Sequence, residues 1–550
     1  MARKLWLFLL LLLSLCLVCC TGARYASQKT SATSSSHTTT QPEKLPTPVG
    51  TPITVRYKIN LKGAGGFYGE REQTVLYGEE ETTEIRVEAN LGYRFIGWSD
   101  GESSPIRSGD CPDEDTTYTA LFEYDALELP VVSLTTETSK DVTSKEEYIG
   151  GTIAISHCGS EYELEEMDME IRGRGNFSWK TAKKSYRIKL SHSENLLGQG
   201  KGESRHWTLI ANHCDQSLIR NYITLGYAAK LENLAFISSA TSVDLYLNGE
   251  YRGVYSLCEQ NGVSPYRVNI ADNPYSLQTG YLIEMSNYAS EEVFHAGGRS
   301  YEIKSDLCPE EELYERQRAF IAETVQICWD VAQSGNREEI ERLIDIPSAV
   351  DAYLVEELFK NKDDGWDSFY FYFDASVEGE KLHFGPIWDF DLTGGNADDG
   401  CEYPEGLWAG VSGHMQDNGW FLTLLRYDWF RALVTERWND LKTETDKIPT
   451  AILTEAERGF NAYSRNFEKW DIFGRRINLE PPQVTALRSY TEHYQYYSTW
   501  MERRIEWLDS YFNDPTFFES GGGNENRFCI RSCVATSAVK PQSGVCIPRG

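Results

Sequence analysis

Residues 361–396, NKDDGWDSFYFYFDASVEGEKLHFGPIWDFDLTGGN, decide how the rest of the chain is read. Two short apolar, aromatic runs, SFYFYF and HFGPIWDFD, flank the polar turn ASVEGEK, a pattern that predicts a β-hairpin. Five acids, Asp363, Asp364, Asp367, Asp389 and Asp391, stand among Trp366, Phe369, Tyr370, Phe371, Tyr372, Trp388 and Phe390. A carboxylate in such surroundings is costly unless it meets a cation or a hydrogen-bond donor. Asp389 and Asp391, two apart on an extended chain, are expected to share a face. Gly394 and Gly395 then let the backbone turn away. The acids either cap turns and face water, or they are hard oxygen ligands for a divalent cation such as Mg²⁺ beside a substrate phosphate.

Composition narrows the choices. A chain of 550 residues has room for about two to four domains. Lys+Arg 53 against Asp+Glu 83 gives a net charge of −30, which argues against nucleic acid as a partner. Aromatics at 13% exclude global disorder. At the N-terminus, MARK precedes an apolar run over residues 5–18, too short for a spanning helix, so residues 1–20 read as a signal peptide. Leu17, Val18, Cys19 and Cys20 resemble a bacterial lipobox with Cys20 as the lipidated residue; ordinary secretion is the alternative. Residues 21–51 form a Ser/Thr-rich tether. Of the 13 cysteines three lie in the signal region, and the rest show no CxxC pairs and no legible disulfide framework. Residues 513–550, with Gly521 to Gly523, Cys529, Cys533 and Cys546, read as a poorly ordered tail without a function.

Taken in order, residues 52–125 alternate as Ile53, Val55, Tyr57, Ile59, Leu61, and again at 83–89 and 118–124, which predicts a compact all-β module. From 171 to 190 the run RGRGNFSWKTAKKSYRIKL carries Arg172, Arg174, Lys180, Lys183, Lys184, Arg187 and Lys189 and no acid, a local attraction for an anion in an acidic chain. Gly173 and Gly175 would allow a phosphate close to the backbone. If KSYRIKL is a strand, Lys184 shares the apolar face of Tyr186, Ile188 and Leu190, while Arg187 and Lys189 point the other way. A lysine there needs a buried carboxylate or a ligand phosphate. Asp215 is a candidate helix N-cap, with Arg220 as partner of an acid. VDLYLNGEYRGVYSLCEQ predicts a hairpin turning at Asn248 and Gly249. Glu259, at the end of its second strand, either faces water or partners Lys184. Helical periodicity governs 310–333, 347–361, 420–442, 450–466 and a long last helix with Val484, Leu487, Tyr490, Tyr494, Tyr497, Met501, Leu508 and Tyr511 as its core stripe. Strands first, an acidic hairpin in the middle and helices last make the chain α+β.

The blocks RGRGNFSW…KKSYRIKL, WTLIANHCDQSLIRN, VDLYLNGEYRGVYSLCE, VEELFKNKDDGWDSFYFY and FGPIWDFDLTGGN together resemble the CotH family of atypical secreted kinases, known from spore coats. The resemblance covers residues 129–512. It implies a divergent, two-lobed protein-kinase-like fold that moves phosphate from ATP, with Mg²⁺ or Mn²⁺, to hydroxyls of extracytoplasmic or cell-surface proteins. It makes Asp363 the catalytic acid, with Asp364 as the alternative register. It makes Asp389, with Asp391, the metal-binding acids, and places Lys184, Arg172, Arg174 and Glu259 at the nucleotide. Ser368 then stands where relatives often carry Asn. GYRFIGWSDG with TYTALF resembles internalin-related bacterial surface repeats, which are spacers or adhesive units. A cell-surface binding scaffold with an inactive kinase-like domain is the alternative from another class. A glycan-active enzyme with paired carboxylates is a third.

Lipidation of Cys20 has a direct check. Cys20→Ser is expected to move the protein from the membrane fraction into the medium; wild type found in the medium to the same extent would contradict the anchor.

Overall fold

Alternating apolar residues between 131 and 259 close a barrel. In the computed structural model, which describes residues 46–60, 64–89, 93–124, 129–290, 292–411 and 417–514, its strands are Val131–Thr136, Ile149–Ser156, Leu164–Arg174, Ser185–Glu194, Ser204–Ile210, Ala240–Leu247 and Glu250–Glu259. Ile153, Ile155, Met169, Ile171, Tyr186, Ile188, Leu190, Trp207, Leu209, Val243, Leu245 and Leu257 fill its interior. The period of two therefore turns the alternate residues Arg172, Arg174 and Arg187 outwards. The hairpin turns at Asn248 and Gly249, with φ of 55° and 79°, as the sequence predicts. The signal sequence with Cys20, most of the tether and the tail cysteines lie outside the described residues. The cysteines that are described, among them Cys214 and Cys258, are free thiols.

Ahead of the barrel, the strands between residues 52 and 124 form a four-stranded and a three-stranded sheet. Their core of Ile53, Val55, Tyr57, Ile85, Val87, Trp98 and Phe122 also takes in Val131, Tyr246 and Tyr251 of the barrel.

A second, five-stranded sheet has the order Val293–Ala296, Arg299–Ile303, Gly280–Met285, Phe369–Asp374, His383–Phe384. Phe371 pairs with Phe384 and Tyr372 with His383, so the acidic hairpin forms, but its second strand is two residues long. Pro386 cannot donate to a ladder, and the chain beyond it is irregular. Asp389 has φ 67°, which corrects the expectation that Asp389 and Asp391 alternate on an extended strand.

Helices Glu311–Ser334, Ile346–Phe359, Asp428–Thr445 and Tyr490–Asn513 carry the remaining core, giving a mixed α+β chain. Asp345 caps Ile346–Phe359 by accepting from Ser348 N at 3.0 Å, and Ser489 with Glu492 forms a capping box on the last helix. The helix expected over 420–442 is two, Gly419–Leu424 and Asp428–Thr445. That expected over 450–466 divides at Gly459 into Ile448–Arg458 and Phe460–Lys469. Among the described residues no helix is long and apolar enough to cross a membrane.

One buried ion pair ties the last helix to the helix that leads into the acidic stretch. Arg504 donates to Glu357 Oε1 at 2.5 Å, and to the carbonyls of Glu357, Pro404 and Gly406. Glu357 also accepts from Trp408 N at 2.8 Å and Gly410 N at 3.2 Å. Arg504→Met, which strands Glu357 in the core, is expected to cost about 3–5 kcal/mol in denaturant unfolding. Arg504→Met with Glu357→Leu should recover part of that loss; equal stability of the single variant and wild type would show that the pair does not hold the two helices.

Candidate active site

Helix Ile346–Phe359 delivers the chain into residues 360–368, and this loop is held nearly residue by residue. Asp363 N donates to Asn361 Oδ1 at 3.1 Å, and Trp408 Nε1 donates to the Asn361 carbonyl at 2.6 Å. Lys362 pairs with Asp399 at 2.9 Å. The two adjacent acids part company here. Asp364 is buried and accepts from Asn418 Nδ2 at 2.7 Å. Asp363 is turned to the other side, where burial and then the Asp389 carboxylate push its carboxyl up to about 7. Asp367 joins that side: burial and Glu284 also push it up to about 7, against a hydrogen bond from Ser286 Oγ.

Asp389 and Asp391 complete the group. Burial raises both; Asp389, Asp363 and Asp215 raise Asp391 further, and Arg174 opposes the rise at each. Ser368 Oγ stands 3.5 Å from Asp389 Oδ2. The backbone of this irregular segment is fixed from residues 212–221. Phe390 N donates to Asn221 Oδ1 at 2.7 Å, and Arg220 Nε donates to the Thr393 carbonyl at 2.8 Å. The acid that pairs with Arg220 is Asp215, which also accepts from Ser217 N and Arg220 N; the helix Arg220–Ala228 starts after Ile219 with no side-chain cap, so Asp215 is not the N-cap the sequence suggests. Gly394, at φ 55°, lies under the last helix: a Cβ there would be 2.3 Å from the Tyr497 ring.

Among the described residues no three His, Cys, Asp or Glu side chains converge on a point that could hold a cation. The donor set still suits Mg²⁺, which commonly takes one or two protein carboxylates and fills its octahedron with phosphate oxygens and water. Asp389 and Asp391 are hard oxygen donors whose mutual repulsion a cation would relieve.

The basic residues are arranged differently from the sequence expectation. The strand begins at Ser185, so alternation does not reach Lys184. Its Nζ donates to the Trp179 carbonyl at 2.5 Å and stands 5.2 Å from that ring. Glu259 is fully buried, ion-paired with Arg267 and bonded to Ser239 N and Oγ, so Lys184 and Glu259 do not pair. The buried lysine is Lys183, bonded to Asn466 Oδ1 at 2.9 Å and to the Val254 carbonyl; burial holds its ammonium well below the usual lysine range. Gly173 admits Trp179, whose ring a Cβ would meet at 2.1 Å, and this corrects its reading as a phosphate cradle. Arg174 does lie at the acids, stacked 5.5 Å from the Trp388 ring. Arg172 donates to the Lys145 carbonyl and stands over Tyr148. Ile210, Cys258, Leu282, Tyr370, Tyr372 and Trp388 pack the barrel's outer face against the five-stranded sheet behind them. A cavity of about 480 Å³, lined in part by Tyr222, Lys230 and Glu444, lies apart from the acids.

The family described as CotH kinase protein matches residues 171–508, more than half of the chain and all of the site just described. The chain belongs to the CotH kinase family. No curated protein matches it.

The raised carboxyls fix a sign for pH dependence. Folded Asp363 keeps its proton up to about pH 7, whereas an unfolded aspartate releases it near pH 4. Between these values the unfolded chain binds fewer protons, so this residue's contribution to stability falls as pH rises from about 4 to 7. Without divalent cation, Asp363→Asn is therefore expected to melt at a higher temperature than wild type at pH 7.5, with the difference shrinking towards pH 4.5. A difference that is constant or grows on acidification would contradict the placement of Asp363 among like charges.

Proposed function

We propose that the chain is an exported kinase that transfers the γ-phosphate of ATP to hydroxyl side chains of extracytoplasmic or cell-surface proteins. The observation that carries this reading is that Asp363 faces Asp389, two acids from distant parts of one family-matched segment. In it, residues 129–512 are a divergent two-lobed kinase unit, with the barrel as one lobe and the helical part as the other. Residues 52–125 are an all-β surface module, and the tether and Cys20 hold the whole at the membrane.

The chemistry asks mainly for positioning and charge neutralisation. Asp363 Oδ accepts the hydrogen bond of an acceptor hydroxyl and takes its proton as the new O–Pγ bond forms and the bond from Pγ to the bridging oxygen breaks, releasing ADP. A carboxyl pushed up to about 7 is suited to hold that proton near neutral pH. Asp389 and Asp391 would hold Mg²⁺ or Mn²⁺, which supplies positive charge to the phosphate oxygens when bound. The bond from Asp363 N to Asn361 Oδ1 fixes the backbone of the loop that presents Asp363. A scaffold reading draws on Ser368, which under the family resemblance stands at a position where an asparagine is expected.

Incubation of the exported protein with γ-labelled ATP and Mg²⁺ or Mn²⁺ separates the two. Label is expected on protein hydroxyls, and Asp363→Ala should lower transfer by about 10²–10⁴-fold while ATP still binds. Asp389→Ala should lose both transfer and metal-dependent ATP binding. Wild type that binds ATP and labels no protein would establish the scaffold.

A further inference from the structure

Helix Arg220–Ala228 has two working faces. On one, Arg220 Nε holds the Thr393 carbonyl and Asn221 Oδ1 holds Phe390 N, which fixes the acidic segment. On the other, Tyr222 and Gly226, four apart and so neighbours along the helix, border the cavity of about 480 Å³ that lies apart from the acids. Helix Ile448–Arg458 and residues 237–240 supply further walls. Sites for small organic molecules are of this order of size, mostly apolar, with a few polar groups placed at them.

The walls define the occupant. Ile223, Ile237 and Ile448 give an apolar surface, and the exposed Lys201, Lys230 and Lys447 stand against one carboxylate, Glu444. Lys230 pairs with Glu444 Oε2 at 2.8 Å and Lys447 with Oε1, so one acid serves two lysines. Among the described residues Lys201 joins no ion pair, and its Nζ donates to the Ala235 carbonyl at 3.0 Å. In a chain of net charge −30, this positive surplus at the cavity draws an anion.

Gly226 points the same way. Glycine inside a helix is destabilising relative to alanine, and it is retained where a left-handed φ or a close neighbour demands it. Neither applies here: its φ is not left-handed, and a Cβ added to it meets nothing within 4 Å. The missing side chain keeps the cavity open, which benefits the protein only when something enters.

We propose that this cavity binds a small amphipathic organic anion, a carboxylate on an apolar chain or ring, with its body against Ile223, Ile237 and Ile448 and its head at Lys201. The helix that borders it also holds the backbone around Asp389 and Asp391, so an occupant tightens the support of the acids. The site stands on the cavity and its charges; that the tightening regulates phosphate transfer rests on the kinase reading.

Calorimetric titration of the whole chain with decanoate, below its micelle-forming concentration, tests the site, with decyltrimethylammonium as the same apolar chain bearing the opposite charge. Decanoate is expected to bind about tenfold or more tightly than the ammonium. Gly226→Leu, which fills the cavity from the helix, and Ala451→Leu, which fills it from the opposite wall, should each weaken decanoate by about tenfold or more. Lys201→Gln should weaken it by about two- to fivefold, the worth of an exposed charge pair. Gly226→Ala should melt above wild type and still bind, which separates loss of the site from loss of the fold. Wild type that binds neither amphiphile, equal affinity for both, or filled variants that bind like wild type would each overturn the site. Hydrogen exchange reads the coupling without nucleotide: amides of 220–228 and 389–394 should exchange more slowly with decanoate in wild type and not in Gly226→Leu. Decanoate binding that leaves those amides unchanged would overturn the coupling. Decanoate binding with slowed exchange but no transfer from labelled ATP would leave the site standing and remove the kinase reading. Transfer without decanoate binding would do the reverse.

Discussion

Asp363, Asp367, Asp389 and Asp391 are largely buried close enough to act on one another, and like charges there cannot all ionise without a counter-charge. Much of the surrounding structure serves to hold them together against that repulsion. Asn361 and Trp408 pin the loop of Asp363, while Asn221 and Arg220 pin the segment of Asp389. The last helix closes over Gly394, where no larger residue fits beneath Tyr497. Two segments more than twenty residues apart are thereby fixed into one charged face.

Pairing is the rule elsewhere in the molecule, which is what makes the exceptions informative. Arg504 is buried on Glu357, Arg267 on Glu259, Arg465 on Asp244 and Arg437 on Asp351. Each such cation has a carboxylate at hand and is accounted for by the fold. The arginines on the barrel's outer face join no ion pair among the described residues, and the acids near them are opposed by Arg174 at Asp389 and Asp391 and by Lys362 at Asp363. A surplus of each sign, placed face to face, is the electrostatic signature of a site that binds a cation and an anion together.

How much of this the sequence disclosed follows from the range of each signal. The barrel strands, the Asn248 and Gly249 turn and the core stripe of the last helix were legible because a period of two or 3.6 is local. Asp363 and Asp389, which act on each other in the fold, were singled out because five blocks resembled one family in order. Lys184 and Glu259 were misread for a physical reason. Strand alternation was extended one residue past the true start at Ser185, and the partner of Glu259, Arg267, lies in a loop with no pattern of its own. An outward face of a barrel is buried wherever a second sheet packs on it, and sequence periodicity carries no trace of that packing.

The most direct measurement is the number of protons released when Mg²⁺ and ATP bind together, obtained by titration calorimetry near pH 6.5 in buffers of differing ionisation enthalpy. Carboxyls that keep protons up to about pH 7 must give them up as the cation supplies the missing positive charge, so net proton release is expected, falling away by pH 8.5. Binding with the same apparent enthalpy in every buffer would mean that the acids are already ionised, and would contradict the account of the cleft.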